Sequence, residues 1–117
     1  MRLGFVFRSY PHTTAKGREG LDALLAASAY CEDIEVFFIG AGVTQLIGSQ
    51  QPEKIKSRDY IAAFKLLELY DIEKVFVCES SLQAYQLTSQ ALVIDTQTLN
   101  PQQIADKLQQ CHKIMTY

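Results

Sequence analysis

The stretch SRDYIAAFKLLELYDIEKVFVC, from Ser57 to Cys78, reads as one amphipathic helix, a tight turn and a short apolar strand. In its helical part, Tyr60, Phe64 and Leu67 recur at the spacing of a single helix face. Such a stripe is the side by which a surface helix packs on a core. The stretch therefore predicts a helix–turn–strand unit of an α/β fold.

The two ends of this unit carry further information. Leu66 and Leu69 lie outside the apolar stripe, which indicates a second covered surface on the helix. Asp71 closes the turn, and the segment Lys74 to Val77 is too short and too rich in β-branched and aromatic residues to be another helix. This strand ends at Cys78, and open α/β sheets bind their ligands at the carboxyl ends of strands.

Length and composition limit the class of protein. A chain of 117 residues predicts one domain, spanning 1–117, because domains usually contain about 100 to 200 residues. Hydrophobic residues make up 48% of the chain, which is enough for a core without metal or disulfide crosslinks. The formal net charge of -2 lacks the basic footprint of a general polyanion binder. We therefore expect a globular domain with no strong nucleic-acid binding of its own.

Strands and helices alternate along the rest of the chain. The predicted strands are Leu3 to Phe7, Glu35 to Ile39, Lys74 to Val77, Ala91 to Ile94 and Lys113 to Met115. Between them, helices are predicted from about Lys16 to Cys31, from Val43 to Ile47, in the opening stretch, from Ser80 or Ser81 to Tyr85, and from Pro101 onward. Five alternations predict a parallel sheet with right-handed crossovers.

Cysteine usage and apolar runs indicate the compartment. Cys31, Cys78 and Cys111 are odd in number and widely spaced, which is typical of reduced thiols in a cytosolic protein. The apolar run at the amino terminus is interrupted by Arg8, so it is too short for a signal-peptide core. No other run approaches the roughly 20 residues of a membrane span. We expect a cytoplasmic protein that does not contact the membrane.

Cys78 is the strongest candidate for chemistry. A thiolate at a strand end, facing the start of a short helix, has its charge stabilised by the helix dipole and free amides, and it can carry a sulfane sulfur as a persulfide. The alternative is a small apolar filler, because free cysteines are among the most buried residues. Glu79 favours that alternative, since a nearby negative charge raises the pKa of a thiol. The sequence leaves both readings open.

Other motifs carry less chemistry. His12 is predicted on the same side of the sheet as Cys78, so a Cys–His pair is conceivable, although a lone loop histidine is usually solvated. Gly17 and Gly20 resemble a phosphate loop only loosely, which leaves a small-ligand or nucleotide-binding module as a third function class. The glycines also indicate close approach of the helix backbone to a neighbour. No clustered ligands predict a metal, and no motif predicts a cofactor.

Five residues are candidates for an interface with a partner chain. Aromatic and arginine residues are enriched in interface cores, and ordinary surface or capping roles are the alternative for each position. The candidates are Tyr10, His12, Arg58, Asp59 and Tyr60.

Three longer stretches together resemble the TusC/DsrF family, small subunits of sulfur-relay complexes in the DsrE/DsrF-like superfamily. They are FVFRSYPHTTAKGREGLDALLAASA (residues 5–29), VFFIGAGVTQL (36–46) and RDYIAAFKLLELYDIEKVFVC (58–78), the last followed by ESSL. The match is dense over the first two-thirds of the chain and holds only by pattern in the last third.

The resemblance implies a central five-stranded, mainly parallel sheet flanked by helices, with flavodoxin-like layering. It also implies a dimer of heterotrimers with TusB-like and TusD-like subunits. Such a complex takes sulfur from a TusA-like donor and passes it to a TusE-like acceptor for 2-thiolation of the tRNA wobble uridine. A related role in dissimilatory sulfur oxidation is the alternative. Isolated α/β subunits with large interfaces often self-associate through their exposed apolar patches, and the sequence leaves open whether this chain forms a homo-oligomer without its partners.

The resemblance also bears on Cys78. In the related complexes the persulfide cysteine belongs to the TusD subunit, and Cys78 occupies the corresponding strand end. The residues that follow it, from Glu79 to Tyr85, lack the basic and glycine residues usual after that active cysteine. The resemblance therefore implies an accessory, non-catalytic subunit, with Cys78 as a persulfide carrier as the alternative.

Overall fold

The computed structural model describes residues 1–10, 15–46, 66–87, 92 and 94–117. Its strands are β1 (Leu3–Phe7), β2 (Ile34–Phe38), β3 (Val75–Cys78), β4 (Gln97–Leu99) and β5 (Lys113–Thr116). Its helices are α1 (Lys16–Ala27), a 3₁₀ helix (Gly40–Leu46), α2 (Leu66–Leu69), α3 (Glu79–Ala84) and α4 (Pro101–Gln109).

The five strands form one parallel sheet in the order β4-β3-β2-β1-β5. β1 lies between β2 and β5, so the two ends of the chain pair, with Leu3 opposite both Ile34 and Lys113. This confirms the five-stranded parallel sheet flanked by helices that was predicted. β2 is buried at every position, as expected of a central parallel strand with both faces covered.

The two faces of the sheet are covered unequally. The first face packs against α1, the 3₁₀ helix, α2 and α3 through Leu24, Val43, Leu67 and Leu82. On the second face, the described helix that packs against the sheet is α4, chiefly through Ile104. Because side chains alternate along a strand, each of the three central strands, β1, β2 and β3, contributes to both clusters.

The opening stretch is described only in its second half, where α2 and β3 follow each other as predicted. Leu67 is buried and belongs to the core, whereas Leu66 and Leu69 are exposed in the isolated chain. Asp71 takes a left-handed conformation, with φ of 58°, in the turn between α2 and β3. Aspartate tolerates this region better than most residues, which explains its position at the turn.

Three predicted boundaries were wrong. α1 ends at Ala27 rather than Cys31, and the Ser28 hydroxyl donates to the Leu25 carbonyl at 2.6 Å as the chain turns. α3 begins at Glu79 with Cys78 in the N-cap position, so neither Ser80 nor Ser81 caps it. The 3₁₀ helix begins at Gly40, ahead of the helix predicted from Val43.

The fourth strand also lies elsewhere than predicted. β4, the strand that pairs with β3 through Phe76 and Gln97, is Gln97–Leu99, whereas the prediction was Ala91 to Ile94. Within that run, Leu92 makes a single bridge and Ile94 is buried in the core of the first face. An edge strand pairs on one side only and is not buried throughout, so its sequence need not be apolar.

The carboxyl-terminal elements agree with the prediction. α4 begins at Pro101, behind an Asn100 N-cap whose side chain accepts a hydrogen bond from the Gln103 N–H at 2.8 Å. In return, the Asn100 N–H donates to Oε1 of Gln103 at 2.9 Å. This reciprocal box satisfies two of the free amides at a helix start. β5 follows at Lys113, as expected.

Two glycines fix the turn that follows β2. Gly40 has φ of +56°, the left-handed region that glycine adopts without strain, and no neighbour would meet a side chain there. At Gly42 the constraint is close approach, because a Cβ would overlap the carbonyl oxygen of Phe7 in β1. The turn thus depends on backbone conformation at one glycine and on backbone contact at the other.

We predict that Gly42→Ala lowers the free energy of unfolding by more than about 3 kcal/mol, because the backbone of Phe7 cannot move aside as a flexible side chain would. Gly40→Ala, two residues away, is the matched control and should cost only about 1 kcal/mol of left-handed strain. Urea denaturation of both variants measures the difference. Equal losses would contradict the close-approach argument.

Candidate functional site

The helices that follow β3 and β4 lie on opposite faces of the sheet. α3 leaves β3 on the first face of the sheet, whereas α4 leaves the neighbouring β4 on the second face. In open α/β sheets, the crevice between two such diverging connections is the usual ligand site. Cys78 is the last residue of β3 and pairs with Leu99, the last residue of β4, so it lies at this crevice.

The Cys78 side chain points toward the second face of the sheet. It is only 4% exposed and belongs to the apolar cluster that includes Phe76, Leu99 and Ile104. Its sulfur lies 3.3 Å from the Ser80 hydroxyl oxygen. Each of the two sequence-based interpretations of Cys78 thus agrees with one observation. The thiol is packed as a core residue, as an apolar filler would be, and it has polar neighbours at the start of α3, as a stabilised thiolate would.

The serines that follow Cys78 decide its acidity. Burial raises the pKa of the Cys78 thiol, but hydrogen bonds from the hydroxyls and backbone amides of Ser80 and Ser81 stabilise the thiolate and leave the pKa below its ordinary value. We expected Glu79 to raise this pKa, and that expectation was wrong. The Glu79 side chain is exposed, where water screens its charge.

Ser81 connects the site to the turn after β2. Its hydroxyl oxygen accepts a hydrogen bond from the Gly40 N–H at 2.8 Å. Nearby, the fully buried Gln45 donates from Nε2 to the Ser9 carbonyl at 2.8 Å, which ties the 3₁₀ helix to the segment after β1. The sequence analysis gave Ser81 only a helix-capping role, and it missed Gln45. A polar residue inside an otherwise apolar buried run was the available signal for Gln45.

Of the five interface candidates, the structure describes Tyr10. It is half exposed, and its hydroxyl lies 2.7 Å from the hydroxyl of Tyr85, with the two rings in a T-shaped arrangement 6.0 Å apart. This pair links the segment after β1 to the end of α3, and Tyr85 was not predicted as part of it. The other candidates lie outside the described residues: His12, Arg58, Asp59 and Tyr60.

The remaining cysteines lie at the opposite end of the sheet, where the parallel strands begin. Cys31 and Cys111 precede β2 and β5, and both are half-buried and free. The Cys31 thiol donates to the Met1 carbonyl at 3.1 Å. Burial, followed by the charge of Glu35, raises the pKa of the Cys111 thiol. Neither thiol can join Cys78 in one site.

The glycine-rich start of α1 packs on aromatic rings. Gly17 and Gly20 are both buried. A Cβ at Gly20 would lie 2.6 Å from the Phe7 ring and 2.7 Å from that of Tyr117. The predicted close approach of the helix backbone to a neighbouring strand is therefore observed at Gly20.

The described part of the chain lacks two further kinds of feature. It contains no group of three or more His, Cys, Asp or Glu side chains placed to hold a metal ion. It also contains no helix that combines the length and apolarity needed to span a membrane.

Comparison with known proteins places the chain in a family. The model of the DsrE/DsrF-like family matches residues 1–117. The chain belongs to this family. It is 57% identical to the protein named TusC homolog of Aliivibrio fischeri over 116 residues, which cover 99% of this chain and 98% of that protein. The TusC homolog of Haemophilus influenzae is 46% identical over 119 residues, covering all of both chains. The TusC/DsrF resemblance is thus confirmed.

The fold recurs in a distant relative. The crystal structure of the ychN protein from E. coli superposes with a TM-score of 0.82 over 100% of this chain and 99% of that chain, at 14% sequence identity. At this identity the likeness shows the fold alone.

We predict that Ser80→Ala moves the alkylation of Cys78 by iodoacetamide to higher pH. Removing a hydrogen-bond donor destabilises the thiolate, so the pKa rises and less thiolate is present at a given pH. Peptide mass spectrometry follows Cys78 separately from Cys31 and Cys111. Gln83→Ala, on the exposed side of α3, is the control and should leave the profile unchanged. An unchanged profile for Ser80→Ala would refute the role of this hydroxyl.

Proposed function

We propose that this chain is an accessory subunit of a cytoplasmic sulfur-relay complex that passes persulfide sulfur toward 2-thiolation of the tRNA wobble uridine. The observation that carries this proposal is the full-length relationship, at 46% to 57% identity, to proteins named TusC homologs. In the proposed complex the single domain, 1–117, binds TusB-like and TusD-like subunits in a dimer of heterotrimers. A TusA-like donor and a TusE-like acceptor meet the complex rather than this chain alone.

Burial of Cys78 supports the accessory role. A thiolate that takes sulfur from a protein-bound persulfide must reach the terminal sulfur of the donor, so it needs open access. The Cys78 side chain is nearly enclosed between the sheet and α4. The exposed Leu66 and Leu69 of α2 are consistent with a surface that a partner covers.

The direct test is a deletion strain of the host, with 2-thiouridine in its tRNA measured by nucleoside mass spectrometry. We expect loss of 2-thiouridine and full restoration by the wild-type chain. The Cys78→Ser variant should restore it equally well, because an accessory subunit needs the shape of this residue and not its thiol. Normal 2-thiouridine in the deletion strain would contradict the tRNA role and leave dissimilatory sulfur oxidation as the alternative.

Assembly is tested separately by purifying the tagged chain from its host under gentle conditions. Two related small subunits should co-purify in stoichiometric amounts, and the Cys78→Ser variant should retain them. Recovery of the chain without other subunits would count against the complex. The isolated chain is expected to self-associate, which sedimentation velocity at several concentrations measures.

A second candidate function is supported by the lowered pKa of Cys78 and its place at the crevice between β3 and β4. Here the Cys78 thiolate attacks the terminal sulfur of a donor persulfide. A new S–S bond forms on Cys78, the donor's S–S bond breaks, and the donor cysteine leaves as a thiolate. Opening of α4 from the sheet would give the donor access.

For this carrier function, we expect the intact mass of the chain to increase by one sulfur after incubation with a cysteine desulfurase, cysteine and a TusA-like donor. Cys78→Ser should abolish the increase, whereas Cys31→Ser should not. If conditions that load a TusD-like subunit add no sulfur to Cys78, the carrier function is wrong. In that case the Cys78→Ser variant should also restore 2-thiouridine in the deletion strain. The accessory function and the carrier function therefore predict opposite results in both the intact-mass assay and the 2-thiouridine assay.

A further inference from the structure

The amino-terminal edge of the sheet, opposite Cys78, exposes large apolar side chains. Tyr30, in the turn after α1, is 92% exposed, and Tyr70, after α2, is 48% exposed. Leu69, directly before Tyr70, is 78% exposed. Soluble chains seldom leave such residues together in water, and tyrosine is among the residues enriched in interface cores. We call this region, with Glu32 and Asp71, the amino-edge surface.

Two adjoining cavities open on the amino-edge surface. One, of about 330 Å³, lies between the end of α1 and the turn after α2, with Tyr70 and Asp71 on its rim and Ile72 in its lining. The other, of about 510 Å³, is lined by Tyr30. Both cavities are also lined by Cys31 and Glu32, so they lie next to each other, and we call the two together the depression. Apolar side chains such as Leu3 and Ile72 and polar side chains such as Glu32 and Asp71 line it.

The charge of this depression is unbalanced. Glu32 and Asp71 are exposed on its rim, and within the described part of the chain neither forms an ion pair. Asp33, beside them, is different, because its carboxylate lies 3.2 Å from both the Lys74 ammonium and the Arg2 guanidinium. Hydrogen bonding to Lys74, chiefly, holds the pKa of Asp33 below its usual range. Among the described residues, one carboxylate here is thus neutralised, and two are exposed without a neighbouring cation.

We propose that the amino-edge surface binds a segment of another protein that presents lysine or arginine among apolar side chains. The cation would lie between Glu32 and Asp71, and its stem would pack on the Tyr70 ring, an arrangement favoured by both ion pairing and cation–π attraction. Two alternatives are disfavoured by charge. A second copy that used the same surface would bring the same carboxylates together, and RNA would bring phosphates against them.

This inference goes beyond the proposed function, because it depends on no sulfur chemistry and identifies a partner only by its charge and apolarity. Its position also differs from that of Tyr10 and Tyr85, which lie toward the carboxyl edge of the sheet. A chain with interfaces at both edges would lie between two partners, rather than at the end of an assembly.

The first test is hydroxyl-radical footprinting of the tagged chain in the complex isolated from its host and of the chain purified alone. We expect oxidation of Tyr30 and Tyr70 to fall by about fivefold or more in the complex, because an interface that excludes water shields its aromatic residues. Equal oxidation in both samples would overturn the inference. Protection that rises with concentration in the isolated chain would also overturn it, since the occupant would then be a second copy.

The second test reverses the charges. The double variant Glu32→Lys, Asp71→Lys should reduce recovery of at least one partner polypeptide by about tenfold at low salt, because like charges across an interface repel. The control is Glu19→Lys, Asp22→Lys, which makes the same change in net charge on exposed positions of α1. Equal recovery with both double variants would overturn the charge argument. Circular dichroism confirms that both variants are folded.

The outcomes separate this inference from the proposed function. If TusB-like and TusD-like subunits co-purify while Tyr30 and Tyr70 stay accessible, the inference fails and the function stands. If the two tyrosines are protected in a strain whose 2-thiouridine does not depend on this chain, the function fails and the inference stands. Recovery of the wild-type chain with no other polypeptide would overturn both.

Discussion

The contact between the Gly42 backbone and the carbonyl of Phe7 determines the geometry of the carboxyl edge of the sheet. It holds the 3₁₀ helix against the end of β1, which brings the Gly40 N–H to the hydroxyl of Ser81. Ser81 in turn fixes the first turn of α3, where the polar groups that stabilise the Cys78 thiolate lie. A backbone contact at the end of β1 thus affects the surroundings of the Cys78 thiol through Gly40 and Ser81, which are joined by a hydrogen bond.

The spacing of apolar residues along the sequence predicted most of the fold, because the central strands are buried on both faces and form continuous apolar runs. β1, β2 and β3 were predicted to within one residue, and the N-cap at Asn100 gave the start of α4. The error at β4 has a physical origin. An edge strand pairs on one side, so Gln97 and Thr98 carry little apolar signal, while the buried Ile94 joins the core without lying in the sheet.

The candidate site was predictable only in part. The strand end at Cys78 followed from the apolar segment before it and from the rule for parallel sheets. The direction of its pKa did not follow, because it depends on the orientation of the Ser80 and Ser81 hydroxyls relative to the sulfur. A sequence shows that Glu79 is adjacent, but it does not show that its side chain points to solvent. Likewise, Tyr10 was a candidate from its residue type, whereas its pairing with Tyr85 required the fold.

The order of the strands has a consequence for synthesis. β1 pairs on one side with β2, which is synthesised soon after it. Its other side pairs with β5, so Leu3 has no partner on that side until Lys113 has been synthesised. Until β5 has been synthesised, β1 is an open edge, and until α4 has been synthesised, the second face of the sheet lacks its helix. Contacts of such sequence separation form slowly, and an open parallel edge is a template for pairing with other chains. The nascent chain therefore exposes this open edge throughout the synthesis of the residues between β1 and β5, which is a period in which it can pair with other chains.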